Sequence, residues 1–150
     1  MNERARVAMS ADEVAAFLAA ERKLQLATLN RDGSAHLVTM FYGVQDGRIA
    51  FWTYRAAQKA RNLARDPRVT CLVDAGEEYF ELRGVQIHGI AHPVEDPAGV
   101  TAIGRLIAAR LREVAPNEVE DYVRRAARKR VGYLVEPKRI ASWDHRKLVT

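Results

Sequence analysis

The chain has one cysteine, and that scarcity excludes more than any motif in it suggests. Cys71 alone makes neither an intramolecular disulfide nor a cysteine-based zinc cluster, and this fits a reducing cytoplasm. No apolar run approaches the roughly 20 residues of a membrane span, and residues 1–23 lack the apolar centre of a signal peptide. There is no GxxxxGK[ST] loop, no GxGxxG turn and no nucleophile elbow around Ser34, Thr39 or Ser142. Helix-turn-helix, RRM and zinc-finger patterns are missing, as are internal repeats, low-complexity segments and linkers. What remains is an ordinary globular composition, 48% hydrophobic over 150 residues, enough for one domain with a substantial core. The formal net charge is +5. A basic balance suits nucleic acid, an anionic membrane or a phosphorylated small molecule, and does not choose among them.

The apolar pattern predicts strands and a few helices. Residues 10–22 form an amphipathic helix, with Ser10 and Glu13 at capping-box spacing. Residues 24–30, 35–44 and 48–54 alternate as strands separated by Asp-Gly turns, the pattern of a three-strand meander. A short helix over 56–66 ends at Asp66-Pro67, because proline disfavours helix in the residue before it. Strands follow at 68–74 and 79–94, the second carrying Gly84 and Gly89 as bends or bulges. Helices are predicted over 96–114 and 117–130, the latter with Asn117 and Glu120 at capping-box spacing, then strands at 131–137 and 139–143. Six or seven strands in sequential hairpins favour an antiparallel barrel with peripheral helices over a parallel sheet.

Few chemical constellations stand out. His88 and His92 lie four apart on a strand, roughly 13 Å at strand rise, too far to share a metal. Cys71 sits inside "VTCLV" and reads as a small buried hydrophobe. The basic run 124–130, "RRAARKR", reads as a solvated helix face, with nucleic-acid contact as the weaker alternative. "AAQKARNLARDPRV" (56–69) is more specific. Its first two helical turns carry Lys59 and Asn62 on one face, after a strand ending Trp52-Thr53-Tyr54 and preceded by Arg55. Free N–H groups, the helix dipole and a lysine suit a phosphate, and the aromatic strand end suits a flat ring. A plain solvated helix accounts for the same residues, so both readings stand open at this point.

The order of four blocks, "LATLNRDGSAHLVTMFY", "AQKARNLARDPRVTCLVD", "ELRGVQIHGIA" and "KRIASWDHRKL", resembles the flavin/deazaflavin split-barrel family, covering nearly the whole chain. That family includes pyridoxamine 5'-phosphate oxidase-like proteins and oxidoreductases using the deazaflavin F420. The block "KARNLARDPR" looks most like the F420-using branch, and FMN is used in the wider family. The resemblance implies a six- to seven-stranded antiparallel split β-barrel, homodimeric, with two equivalent cofactor sites at the dimer interface. It implies that Lys59 and Asn62 hold the cofactor phosphate, with Arg61 a weaker candidate. Val38, Thr39 and Met40 would line the ring, and Trp52, Thr53 and Arg55 would contact the part between ring and phosphate. Tyr79 or Phe80 would approach from the other subunit. Where some relatives carry a further basic residue this chain has Ala57, which leaves the phosphate to Lys59, Arg55 and backbone N–H groups. The implied activity is hydride transfer between reduced F420 and a small electron-poor acceptor, with Tyr54, His36 and His145 as candidate proton sources. The alternatives are an FMN-dependent oxidase-like protein and a non-catalytic binder of flavin, haem or lipid.

Overall fold

The structure is a computed structural model describing residues 2–149. Two short helices, α1 (Glu3–Val7) and α2 (Ala11–Ala20), precede the sheet. The predicted capping box is present on α2: Ser10 Oγ accepts from the Glu13 N–H, and the Glu13 carboxylate accepts from the Ser10 N–H. β1 (Lys23–Leu29) and β2 (Ala35–Phe41) form a hairpin, with Leu24, Leu26 and Thr28 of β1 turned inward. β3 (Gly43–Gln45) and β4 (Arg48–Tyr54) form a second hairpin around Asp46 and Gly47, both at positive φ. Two consecutive positive φ values are what a tight two-residue hairpin turn requires.

These hairpins do not make the expected meander. All seven strands join one antiparallel sheet in the order β2-β1-β5-β6-β7-β4-β3, which puts the two hairpins at opposite ends. The predicted strand over 35–44 breaks at Tyr42. That residue is fully buried, its N–H donates to Arg22 O and its hydroxyl donates to Leu18 O at 2.6 Å. The chain is therefore tied to the α2–β1 corner, and β3 leaves in a new direction. The sheet curls into a half-barrel with a split between its ends.

The middle of the sheet is β5 (Arg68–Ala75), β6 (Arg83–Val94) and β7 (Arg130–Asp144). β7 is one strand where two were expected; Pro137 pairs with Gly89 where the β6–β7 register shifts. A bulge is one of the few places a sheet accepts proline, so the ladder runs through. β6 begins four residues later than expected, because Tyr79–Glu81 form a 3₁₀ turn.

α3 (Gln58–Arg65) links β4 to β5, and α4 (Pro97–Ala108) and α5 (Val119–Ala126) link β6 to β7. α4 stops six residues short of the predicted end, and Arg110 donates to the carbonyls of Leu18, Ala19 and Glu21 at the end of α2. The Asn117–Glu120 capping box is absent: Glu118 is the N-cap, and Glu120 pairs with Arg105. Alternation along β4 sends Ile49 and Phe51 into the barrel core and Ala50 and Trp52 into a second core under α4 and α5.

Candidate functional site

α3 starts without a side-chain cap at Ala57 and packs Ala60, Asn62 and Leu63 inward. Asn62 is fully buried. Its Nδ2 donates to Thr28 Oγ1 (3.1 Å) and Asn30 Oδ1 (2.9 Å), and its Oδ1 accepts from Gln58 Nε2 (2.8 Å). An amide satisfied on both sides inside the protein has nothing left for a ligand. The expected phosphate role of Asn62 is therefore replaced by a structural one: it ties α3 to β1 and the β1–β2 turn. Arg65 supports the same tie by donating to Leu29 O, and Arg68 pairs with Asp66.

Lys59 lies on another face of α3, half-buried, with no hydrogen bond or ion pair among the described residues. Burial alone pushes its ammonium below the ordinary lysine value of 10.5. It faces a cleft of about 430 Å³ at the split of the barrel. One wall is Thr39, Met40 and Phe41 of β2, and the opposite wall is Trp52, Thr53 and Tyr54 of β4. Ile107, Leu111, Tyr122 and Arg130 close the far side. β2 pairs only with β1, so its other edge carries free backbone N–H and C=O groups.

Five predicted residues thus meet in one cleft: Thr39, Met40, Trp52, Thr53 and Lys59. The others lie elsewhere. The Val38 side chain packs against the barrel core. Arg55 turns away from the cleft, its guanidinium donating to Arg130 O (3.0 Å) and Arg128 O (2.7 Å). Arg61 is exposed and donates to Gln58 Oε1. Tyr79 is 60% exposed, stacked edge-on with Phe80 and tilted on His145, and borders a different cleft with Trp143.

Of the candidate proton sources only Tyr54 lines the Lys59 cleft. His145 Nδ1 lies 2.8 Å from Tyr79 O, and His36 Nδ1 is buried without a partner. His88 and His92 bond separately, to Thr70 and Glu136, and no metal-binding cluster occurs among the described residues. Burial pushes the Cys71 thiol up to about 12, as its strand position implied. Sequence reasoning missed Arg130, Tyr122, Ile107 and Leu111. Arg130 had a trace, as the last residue of the basic run, but its place depends on where β7 begins.

A sheet split at its ends, with a cationic cleft in the split, is the architecture of a split β-barrel. The pyridoxamine 5'-phosphate oxidase family model matches residues 10–144, and the chain belongs to that family. A crystal structure of a conserved hypothetical protein from Mycobacterium tuberculosis is 40% identical, covers 100% of this chain and 94% of its own, and superposes with a TM-score of 0.92. The fold is shared by HutZ, a heme storage protein from Vibrio cholerae (16% identity, 88% of this chain and 94% of that chain, TM-score 0.67). It is shared also by an F420 reductase (22% identity, 84% of this chain and 94% of that chain, TM-score 0.62). No match is found among curated proteins. Among the described residues no helix is long and apolar enough to cross a membrane.

Proposed function

We propose that this chain is an F420-dependent reductase whose cofactor lies in the Lys59 cleft, the deazaflavin ring between β2 and β4. The observation carrying this reading is a half-buried lysine without an internal partner, placed beside a flat aromatic wall and a free strand edge. The donor set fits the group. Lys59 supplies a cation for the phosphate, Trp52 and Met40 an apolar surface for the ring, and the β2 edge N–H and C=O groups for its heteroatoms. When bound, reduced F420 supplies a hydride for an electron-poor double bond. The chain's own work would be to hold the ring between β2 and β4, with Ile107 and Leu111 closing the far side of the cleft. Similarity in fold to an F420 reductase supports the choice.

Titration of the purified protein with F420 and with FMN tests this. Micromolar F420 binding is expected, weakened about 10- to 100-fold in Lys59→Met, the effect of removing one charge-assisted hydrogen bond. Binding of neither cofactor, or of FMN alone, overturns the reading. The same variant carries a stability signature. A lysine whose folded pKa lies below 10.5 is disfavoured in its charged form by the fold. Its cost is full at neutral pH and fades as pH rises toward 10.5. Lys59→Met is therefore expected to gain stability relative to the parent at pH 7, and that gain should shrink as pH rises toward 10.5.

The same reading seats a second copy of the chain on the outer sheet face. Leu37 is 64% exposed and Phe41 39%, on the face that also carries Ala27 and Leu29. A shallow apolar hollow of about 460 Å³ adjoins them, lined by Ala27, Leu29, Ala35 and Ile90. Exposed apolar residues grouped on one sheet face, rimmed by Arg68 and Lys138, are the kind of surface a second copy can cover. The exposed Tyr79 and Phe80 would then reach the partner's cleft. Sedimentation equilibrium at tens of micromolar is expected to give a dimer, and Leu37→Glu a monomer; a monomeric parent chain rules the arrangement out.

A further inference from the structure

Ala57 leaves the start of α3 with neither a side-chain cap nor a cation, and Arg55 does not supply one. Arg55 is instead committed to backbone: besides its guanidinium bonds to the carbonyls of Arg128 and Arg130, its own N–H donates to Lys129 O at 2.9 Å. Three bonds to three consecutive residues pin the first residue of β7. Tyr54 and Arg130 are register partners across β4 and β7. From that position the Arg130 side chain folds back over β4. Its guanidinium carbon lies 4.2 Å from the Tyr54 ring centroid and 5.0 Å from that of Trp52. Nη1 donates to Ala126 O at 2.7 Å. No carboxylate pairs with it among the described residues, and Nε and Nη2 make no hydrogen bond.

The guanidinium is thus held over two aromatic rings, with part of its donor fork unused, in the cleft that Lys59 also lines. A pre-oriented arginine loses little side-chain freedom on binding and presents paired donors to a phosphate or carboxylate. Its surroundings add field of the same sign. Tyr54, Tyr122 and Arg130 are shared with a neighbouring hollow of about 560 Å³ that carries Arg125, Arg128 and Lys129. Low-dielectric walls and clustered cations raise the local concentration of an anion.

We propose that Arg130 is a ligand-binding residue of this cleft. Its guanidinium takes the anionic group beside the ring of the bound ligand, in place of a cation at position 57, and Arg55 is the positioning residue that holds it there. The proposal rests on the cleft being the cofactor site.

The test compares F420 with its phosphate-free deazaflavin ring fragment, by fluorescence titration at fixed ionic strength. Arg130→Gln is expected to weaken F420 at least 10-fold while changing the fragment less than about 2-fold. Arg130→Lys, which keeps the charge but not the fork, is expected to fall between. Arg55→Met should show the same ligand-selective pattern to a smaller degree. Inorganic phosphate should compete with F420 in the parent chain and lose that effect in Arg130→Gln. Circular dichroism and melting temperature confirm that each variant folds, and Arg130→Lys carries the test if Arg130→Gln does not. If the parent binds F420 and Arg130→Gln binds it equally well, the role of Arg130 is overturned while the cleft assignment stands. Equal weakening of F420 and the fragment also overturns it, since that is the effect of a lost stacking surface. If the parent binds neither, the cleft assignment falls and the proposal with it.

Discussion

Asn62→Ala is expected to destabilise the protein by about 2–4 kcal/mol, the sum of a lost buried network and the void it leaves. The substitution strips partners from three groups at once. The Thr28 hydroxyl, 2% exposed, loses the donor at 3.1 Å. Asn30 Oδ1 and Gln58 Nε2 lose theirs at the barrel end, where water reaches more easily. Buried networks of this kind are worth more whole than in parts, so Asn62→Asp, which keeps size but loses the donor to Thr28 and Asn30 and buries a charge whose nearest cation, Arg65, stands 3.4 Å away, should also be destabilising. Thermal melting should fall by roughly 5–15 °C in either variant, taking about 2–4 °C per kcal/mol at this chain length. Because Asn62 touches no cleft atom, any folded fraction should bind the cofactor with affinity close to that of the parent. Selective loss of binding at unchanged stability would return Asn62 to the ligand set and contradict the network.

That contrast shows what the residues alone could and could not reveal. The Asp-Gly turns, the α2 capping box and the break at Asp66-Pro67 were legible because their causes are local: a positive φ, a reciprocal side-chain bond, a proline ring. The course of the chain after Phe41 was not, since alternation says which face a residue takes and nothing about which strand it pairs with. Tyr42 decides that through Leu18 and Arg22, which lie 24 and 20 residues earlier in the chain. Lys59 and Asn62 share a helical turn and looked alike as phosphate donors. They differ because Thr28 and Asn30 arrive beneath one of them and nothing arrives beneath the other. Arg130 shows the same limit from the other side. In "RRAARKR" it is one cation among five, and only the Tyr54–Arg130 register lays it across an aromatic pair. Local chemistry pointed to the two strands that wall the Lys59 cleft; long-range pairing chose which polar side chains face it.

Gly104→Val is expected to couple stability to the cleft. Gly104 sits mid-way along α4, where a Cβ would lie 2.4 and 2.6 Å from two carbons of the Trp52 ring and 3.1 Å from Val123. The helix approaches the sheet that closely only because no side chain intervenes. A Gly-to-Ala change usually gains about 0.5–1 kcal/mol inside a helix, so the gain from backbone entropy opposes the overlap. Here overlap wins, since the obstructing atoms belong to a rigid ring whose neighbourhood also holds Arg130 at 5.0 Å. Gly104→Val should lose about 2–4 kcal/mol by overpacking, and Gly104→Ala distinctly less. Two relaxations are open. If α4 lifts, the second core of Ile103, Ile107 and Val123 loosens and binding changes little. If Trp52 swings toward Arg130, the flat wall of the cleft is lost and F420 affinity falls at least tenfold. Trp52 is buried, with α4 on one side and the Arg130 guanidinium on the other; a single arginine side chain gives way more readily than a packed helix, so the second is the expected route. Melting temperature and F420 titration on the same two variants separate them. A Gly104→Val protein as stable as the parent would mean that α4 and Trp52 stand further apart than the structure places them.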